Sequence, residues 1–264
     1  MYILSIANAI SKIKIFTTQQ THDNLSTPLL FYLICGIIGV VSCYNALEIN
    51  KLHATNRDGM EILMTVLITG FEPFDGEQVN PSFEAVKQLP DYIDNHLIIK
   101  KELSTAFHQS LIVLEQLMKD HQPDMVICVG QAGGRFSITP ERVAINIDDA
   151  RIPDNVGAQP VDCPIYPDGP AAYFSTLPCK TIVENIKKAG IPAAISDTAG
   201  TYVCNHVMYG LLHLIAEKSL EITAGFIHVP YATEQVLDKS ATPSLTLAQI
   251  RDALYIAIET SIKQ

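Results

Sequence analysis

The sequence predicts an α/β protein: a single-domain three-layer α/β/α sandwich around a largely parallel, twisted central sheet. Two observations carry that expectation. Strand-length apolar runs recur at Thr65–Phe71, Met125–Gly130 and Ala224–Pro230. Between them lie longer stretches with apolar residues at helical spacing, such as Leu111, Leu114, Leu117 and Met118. Runs that are apolar throughout suit strands covered on both faces, as in parallel sheets.

Taken in order, Thr65–Phe71 reads as a buried strand closed by Gly70. Glu72 to Pro81 is a loop by its Pro, Gly and Asn-Pro content. Ser82 is placed to cap a helix running to about Leu89. His96–Leu103 is a second strand, Phe107–Asp120 a helix and Met125–Gly130 a third strand, with Cys128 in its core. Arg142 to Ile147 alternates apolar and polar residues, a strand with one exposed face. Asp148 to about Pro170 is turn-rich and too long for an ordinary connector, so it is functional or packs on another subunit. A helix at Thr181–Ala189 leads to a short buried strand, Ala193–Ile195. A small-residue turn then opens a helix at or just before Cys204, followed by Val207, Met208, Leu211 and Leu212. The strand Ala224–Pro230 and a last helix, Thr246–Ile262, complete the alternation.

Composition excludes some partners. The chain of 264 residues carries a net charge of −10. Residues 1–63 hold four basic and four acidic side chains, so the imbalance belongs to residues 64–264. An acidic body without a Lys/Arg stripe argues against nucleic acid as a partner. The six cysteines show no zinc spacing and no disulfide framework, so a reducing, cytoplasmic setting is expected and no metal.

Residues 1–63 form an N-terminal extension with an uncharged apolar segment at 29–47, about long enough to span a bilayer. Lys12 and Lys14 precede it and Lys51 and Arg57 follow, so charge gives no orientation. Three readings stay open: a membrane anchor, a cleaved signal ending near Cys43, or an upstream extension of an enzyme that starts at Met64.

The chemistry centres on Cys204. A cysteine at a helix start meets unpaired N–H groups and the positive end of the helix dipole, both of which favour a thiolate. A thiol nucleophile needs a base. His206, two residues on, lies about 200° round the helix axis and points away. His213 faces elsewhere, and His96, His108 and His121 read as solvated. His228 ends the apolar run Gly225-Phe-Ile, and polar side chains at strand carboxyl ends enter the ligand crevice of open α/β sheets. The alternative for His228 is a hydrogen-bonded core histidine. Glu141, which opens a strand beside Arg142, reads equally as a third catalytic group or a surface ion-pair residue. Gly130, Gly133 and Gly134 are followed by no Lys-Ser/Thr and no helix, so a phosphate loop is disfavoured.

Two long stretches carry a resemblance: Gly130 to Asn146 around Glu141, and Ile191 to Asn205 around Cys204. They are similar to the signature motifs of pyroglutamyl peptidase I, the pyrrolidone-carboxylate peptidases, a family of cysteine peptidases. Gly70-Phe-Glu-Pro-Phe-Asp-Gly, Asn80-Pro-Ser, Ile147 to Asn155 and Phe226 to Pro230 resemble that family as well, in its order and spacing, so 64–264 is expected to be the catalytic domain. Residues 1–63 match nothing in it. The resemblance implies a triad of Cys204, His228 and Glu141, no cofactor, and often a homotetramer. The implied activity removes an N-terminal 5-oxoproline from peptides. That ring is neutral, so its pocket needs an apolar clamp and amide hydrogen bonds rather than a carboxylate. Phe71 and Phe74 are positioned to clamp it. The likeness adds Asn80, the Gln131 backbone and Val203 to the pocket, and Arg151 is expected as an oxyanion helper. The rivals are another α/β cysteine amidase and a non-catalytic binder of pyroglutamyl peptides.

Overall fold

A computed structural model describes residues 63–263. The apolar segment 29–47 and the rest of the extension lie outside the described residues. Five helices and ten short or long strands are assigned there. In chain order they are β1 (Thr65–Phe71), α1 (Pro81–Lys87), β2 (Tyr92–Ile93), β3 (His96–Leu103), α2 (Gln109–His121) and β4 (Met125–Gln131). Then follow β5 (Thr139–Pro140), β6 (Val143–Ile145), β7 (Ala172–Phe174), α3 (Cys179–Lys188) and α4 (Val203–Glu217). The chain closes with β8 (Thr223–Val229), β9 (Tyr231–Ala232), a 3-10 turn at Thr233–Val236, β10 (Ser244–Leu245) and α5 (Leu247–Ile262).

The main sheet has the order β2-β3-β1-β4-β8-β5. The four inner strands are parallel, and the short edges β2 and β5 are antiparallel. The largely parallel sheet expected from the apolar runs is therefore what forms. Strand parity divides the core. Val66 and Ile68, Ile127 and Val129, and Ile227 and Val229 face α1, α3 and α5. Leu67, Val126, Cys128, Ala224 and Phe226 face α2 and α4. Because side chains alternate along a strand, Gly130 and His228 continue the second set, on the face where α4 lies.

Four local expectations need correction. The cap of α1 is Asn80, not Ser82: its side chain accepts from the Ser82 amide, and Pro81 takes the first helical position, where its missing N–H costs nothing. The segment Ala193–Ile195 is not a strand of its own. It runs beside the chain around β5 through two isolated parallel bridges, Ile138 to Ala193 and Glu141 to Ser196. Its expected apolar run is too short for a ladder, and Pro192 offers no donor. His96 is buried, not solvated, since β3 begins on it. The strand expected over 142–147 shrinks to β6, which pairs with β7 in a separate ribbon. The turn-rich stretch 148–170 carries no helix or strand. Its buried Asp154 ties it down by accepting from the Phe107, Val156 and Ala158 amides.

Candidate active site

The carboxyl ends of β1, β4 and β8 converge on a cavity of about 260 Å³. The chain leaves β1 for β3 on one side and later enters β4 on the other. Such reversal points are where open α/β sheets hold ligands. Phe71, Gln131 and His228 reach the cavity from the strands, and Val203 and Cys204 from the start of α4.

His228 and Glu141 meet beside it. His228 Nδ1 lies 2.6 Å from Glu141 Oε1, and both side chains are almost wholly buried. β5 makes this possible: Thr139 pairs with His228 across the sheet, and Glu141, two residues on, falls opposite Phe226 on the same face as His228. Arg135 braces the acid. Its Nη1 donates to Glu141 Oε1 and to Thr139 Oγ1, each at 2.6 Å, and its Nη2 donates to the Thr198 carbonyl at 2.9 Å. Burial works against an ionised Glu141, but the bond to His228, the charge there and Arg135 outweigh it and hold the carboxyl below its usual value. Burial holds His228 below its ordinary value of 6.5, against the pull of Glu141. A neutral His228 gives its Nδ1 proton to the acceptor-only carboxylate, which leaves Nε2 as a base.

Cys204 is half-buried on the first turn of α4. Gly130 makes room for it: a Cβ on that glycine would stand 2.7 Å from the Cys204 sulfur. Gly133 likewise makes room for the Tyr231 ring, so these glycines are spacers and not a phosphate cradle. Desolvation opposes the thiolate expected at this helix start. Burial pushes the thiol up to about 12, the Glu141 charge adds to this, and Arg135 only partly offsets it. Desolvation favours the thiol form, so a base is needed to take its proton.

Aromatic rings shape the walls. Phe71 packs on Phe226 with centroids 6.3 Å apart, and Phe74 lies 6.2 Å from Tyr202. Tyr202 extends the wall, and its hydroxyl donates to the Pro153 carbonyl. Asn80 lines the cavity, but its polar atoms are engaged by Ser82 and by the Glu72 carbonyl. Arg151 is a correction. It is exposed and lies outside the cavity lining, because Ala150, not Arg151, turns into the core there. The guanidinium that reaches the cavity is Arg135. It gave no sequence signal beyond a lone cation among glycines. The lining contains no carboxylate. Among the described residues no His/Cys/Asp/Glu cluster is arranged to hold a metal.

Known proteins with the same layout set this arrangement in context. The profile of the family described as pyroglutamyl peptidase matches residues 64–264. The chain belongs to that family. A pyrrolidone-carboxylate peptidase of Thermosipho africanus is 58% identical over 201 residues, 76% of this chain and 98% of that protein. A second, from Caldanaerobacter subterraneus, is 54% identical over 200 residues, 76% of this chain and 98% of its own. The crystal structure of pyroglutamyl peptidase I from Bacillus amyloliquefaciens superposes with a TM-score of 0.74 at 57% identity, covering 76% of this chain and 98% of that one. A pyrrolidone carboxyl peptidase from Pyrococcus furiosus gives the same score at 44% identity, with 76% and 99% covered. All of these family matches leave the extension uncovered.

Proposed function

We propose that the chain is a cysteine exopeptidase that removes an N-terminal pyroglutamyl residue from peptides, with residues 64–264 as its catalytic domain. The carrying observation is the cavity: a thiol and a histidine on its wall, apolar rings around it, and no carboxylate. A free N-terminal ammonium would find no counter-charge there and would meet Arg135 instead. A neutral lactam suffers neither penalty. At about 260 Å³ the cavity lies below the roughly 300–1,000 Å³ of drug-sized sites, which suits one small ring.

In the first step His228 Nε2 takes the Cys204 proton, and the sulfur attacks the carbonyl carbon that joins the ring to the next residue. Tyr202 supplies no capping oxygen to α4. The first-turn N–H groups therefore remain to hold the oxyanion. His228 returns its proton to the departing amine, leaving a thioester. Water, deprotonated by His228, then releases 5-oxoproline and restores the thiol. Glu141 keeps the Nδ1 proton in place and stabilises the imidazolium. A cytoplasmic setting fits the four free cysteines of the described residues. The assembly carried over from the family likeness is a homotetramer, which light scattering measures. Among the described residues no helix is long and apolar enough to cross a membrane.

The test is release of aminomethylcoumarin from its pyroglutamyl amide by the full chain. Turnover in the wild type, none in Cys204→Ala, and protection of Cys204 from iodoacetamide by a pyroglutamyl ligand are expected. Substantial turnover by Cys204→Ala would overturn the assignment. Binding of the ligand by the wild type without turnover would favour a non-catalytic binder.

A further inference from the structure

Gln235 does not line the cavity, yet its side chain ties together three segments that do. Its Oε1 accepts from the Ala232 amide at 2.9 Å, just after β8 has delivered His228. Its Nε2 donates to the Val79 carbonyl at 3.0 Å and to Gln131 Oε1 at 3.0 Å, with Glu77 Oε2 at 3.3 Å. Two backbone groups therefore decide which end of this amide is which. Only an oxygen can accept from the Ala232 N–H, and only a nitrogen can donate to the Val79 carbonyl.

That assignment fixes the next amide. A donor-only NH2 on Gln235 requires the oxygen of Gln131 to face it, so the Gln131 NH2 is the end turned away. Gln131 is buried and lines the cavity. Several other side-chain donors on the wall already give to backbone carbonyls. Asn80 Nδ2 and Thr105 Oγ1 give to Glu72, and the Tyr202 hydroxyl gives to Pro153. Arg135 is held by Glu141, Thr139 and Thr198.

The same residue secures the aromatic wall. Phe74 to Glu77 is a tight turn, closed by the Glu77 amide on the Phe74 carbonyl, with Asp75 and Gly76 both at positive φ. Glu77 is ion-paired with Lys239, whose ammonium sits 4.4 Å over the Tyr231 ring. Gln235 and Lys239 thus hold the turn that presents Phe74 from the segment that follows His228.

We propose that Gln235 is a specificity-determining positioning residue. It orients the Gln131 amide so that its NH2 donates to the carbonyl of a lactam ring, and it latches the Phe74 turn beside that ring. This rests on the pyroglutamyl peptidase reading of the site and adds a source of its ring selectivity.

Gln235→Glu is the informative variant. A carboxylate still accepts from Ala232 but has no N–H, so the Gln131 amide reverses and turns its oxygen to the ring, while Glu77 is repelled. Leaving a buried acceptor pair in place of a hydrogen bond predicts a KM for pyroglutamyl-aminomethylcoumarin roughly tenfold to a hundredfold higher. The interaction is present in ground and transition states alike, so kcat stays within about threefold. The rate of Cys204 alkylation by iodoacetamide stays at the wild-type value. Should Gln235→Glu not fold, Gln131→Glu carries the same test, because it leaves no donor toward the ring and KM rises likewise. A wild-type KM, or a fall in kcat and alkylation rate that tracks a lowered unfolding midpoint, would overturn the proposal. A wild-type chain that leaves the substrate intact would instead sink the peptidase reading beneath it.

Discussion

The described residues hold two buried histidine–carboxylate pairs that are nearly alike. His228 Nδ1 sits 2.6 Å from Glu141, and His206 Nδ1 sits 2.7 Å from Asp148. All four side chains are almost wholly buried. Both histidines follow Cys204 in the sequence, His206 on the same helix and His228 near the end of β8. The difference is at Nε2. In His206 that nitrogen accepts the His108 amide at 3.0 Å, and Phe107 and His108 pack edge-on against the ring. In His228 the ring opens on the cavity that Cys204 shares. Pairing with a carboxylate therefore does not make a histidine a base. An open second nitrogen facing a proton donor does. The His206 pair pins α4 to the stretch 148–170, and the His228 pair is the one proposed to act on Cys204.

Breaking either side of this contrast gives graded outcomes. The largest loss is expected from Cys204→Ala, which removes the nucleophile: at least about 10⁴-fold in kcat, with an unchanged unfolding curve. Glu141→Gln comes next. It takes away the acceptor that fixes the His228 tautomer, and kcat should fall about 10²–10⁴-fold. Its counterpart, Asp148→Ala, leaves the His206 N–H buried and unpaired, so urea unfolding should register about 1–3 kcal/mol lost while kcat barely moves. Equal effects of the two carboxylate changes on kcat would remove the distinction.

Arg135→Gln sharpens the electrostatics, with about a tenfold fall in kcat at neutral pH expected from one lost charge-assisted bond. Arg135 lowers the His228 pKa, so its loss raises it. The active form carries a neutral His228, and the acid limb of the pH–rate profile should therefore move to higher pH. An acid limb that stays put or moves down would contradict the assignment of His228 as base. The smallest effect is on stability. His96 and His228 both lie below 6.5 in the folded chain through burial, so the unfolded state binds more protons there. Their contribution is complete above 6.5 and is lost as pH falls through the folded values. A lower urea midpoint at about pH 5.5 than at about pH 7.5 is expected; a rising one would count against buried neutral histidines.

Much of this was legible in the residues. β1, β4 and β8 announce themselves because strands buried on both faces must be apolar throughout, and His228 stands out because a polar group ends such a run. Cys204 is visible from its place between a strand-like segment and a helix. Glu141 was ambiguous until the family likeness was added, since a glutamate beside Arg142 reads as well as a surface ion pair. Arg135 and Gln235 were not legible. Each acts through side-chain hydrogen bonds, Arg135 to Glu141, Thr139 and Thr198 and Gln235 to Ala232, Val79 and Gln131, and such pairing leaves no periodicity. Arg151 was misplaced because turn residues show which segment bends but not which side chain faces in. The helix field that favours a thiolate at Cys204 can be read from sequence; the desolvation that opposes it cannot.

The most direct measurement compares His228→Gln with His206→Gln for turnover of pyroglutamyl-aminomethylcoumarin, with unfolding midpoints recorded alongside. His228→Gln should lose about 10²–10⁴-fold in kcat and keep its midpoint, while His206→Gln keeps kcat within about threefold and loses stability. The reverse pattern, or turnover preserved in His228→Gln, would contradict the account.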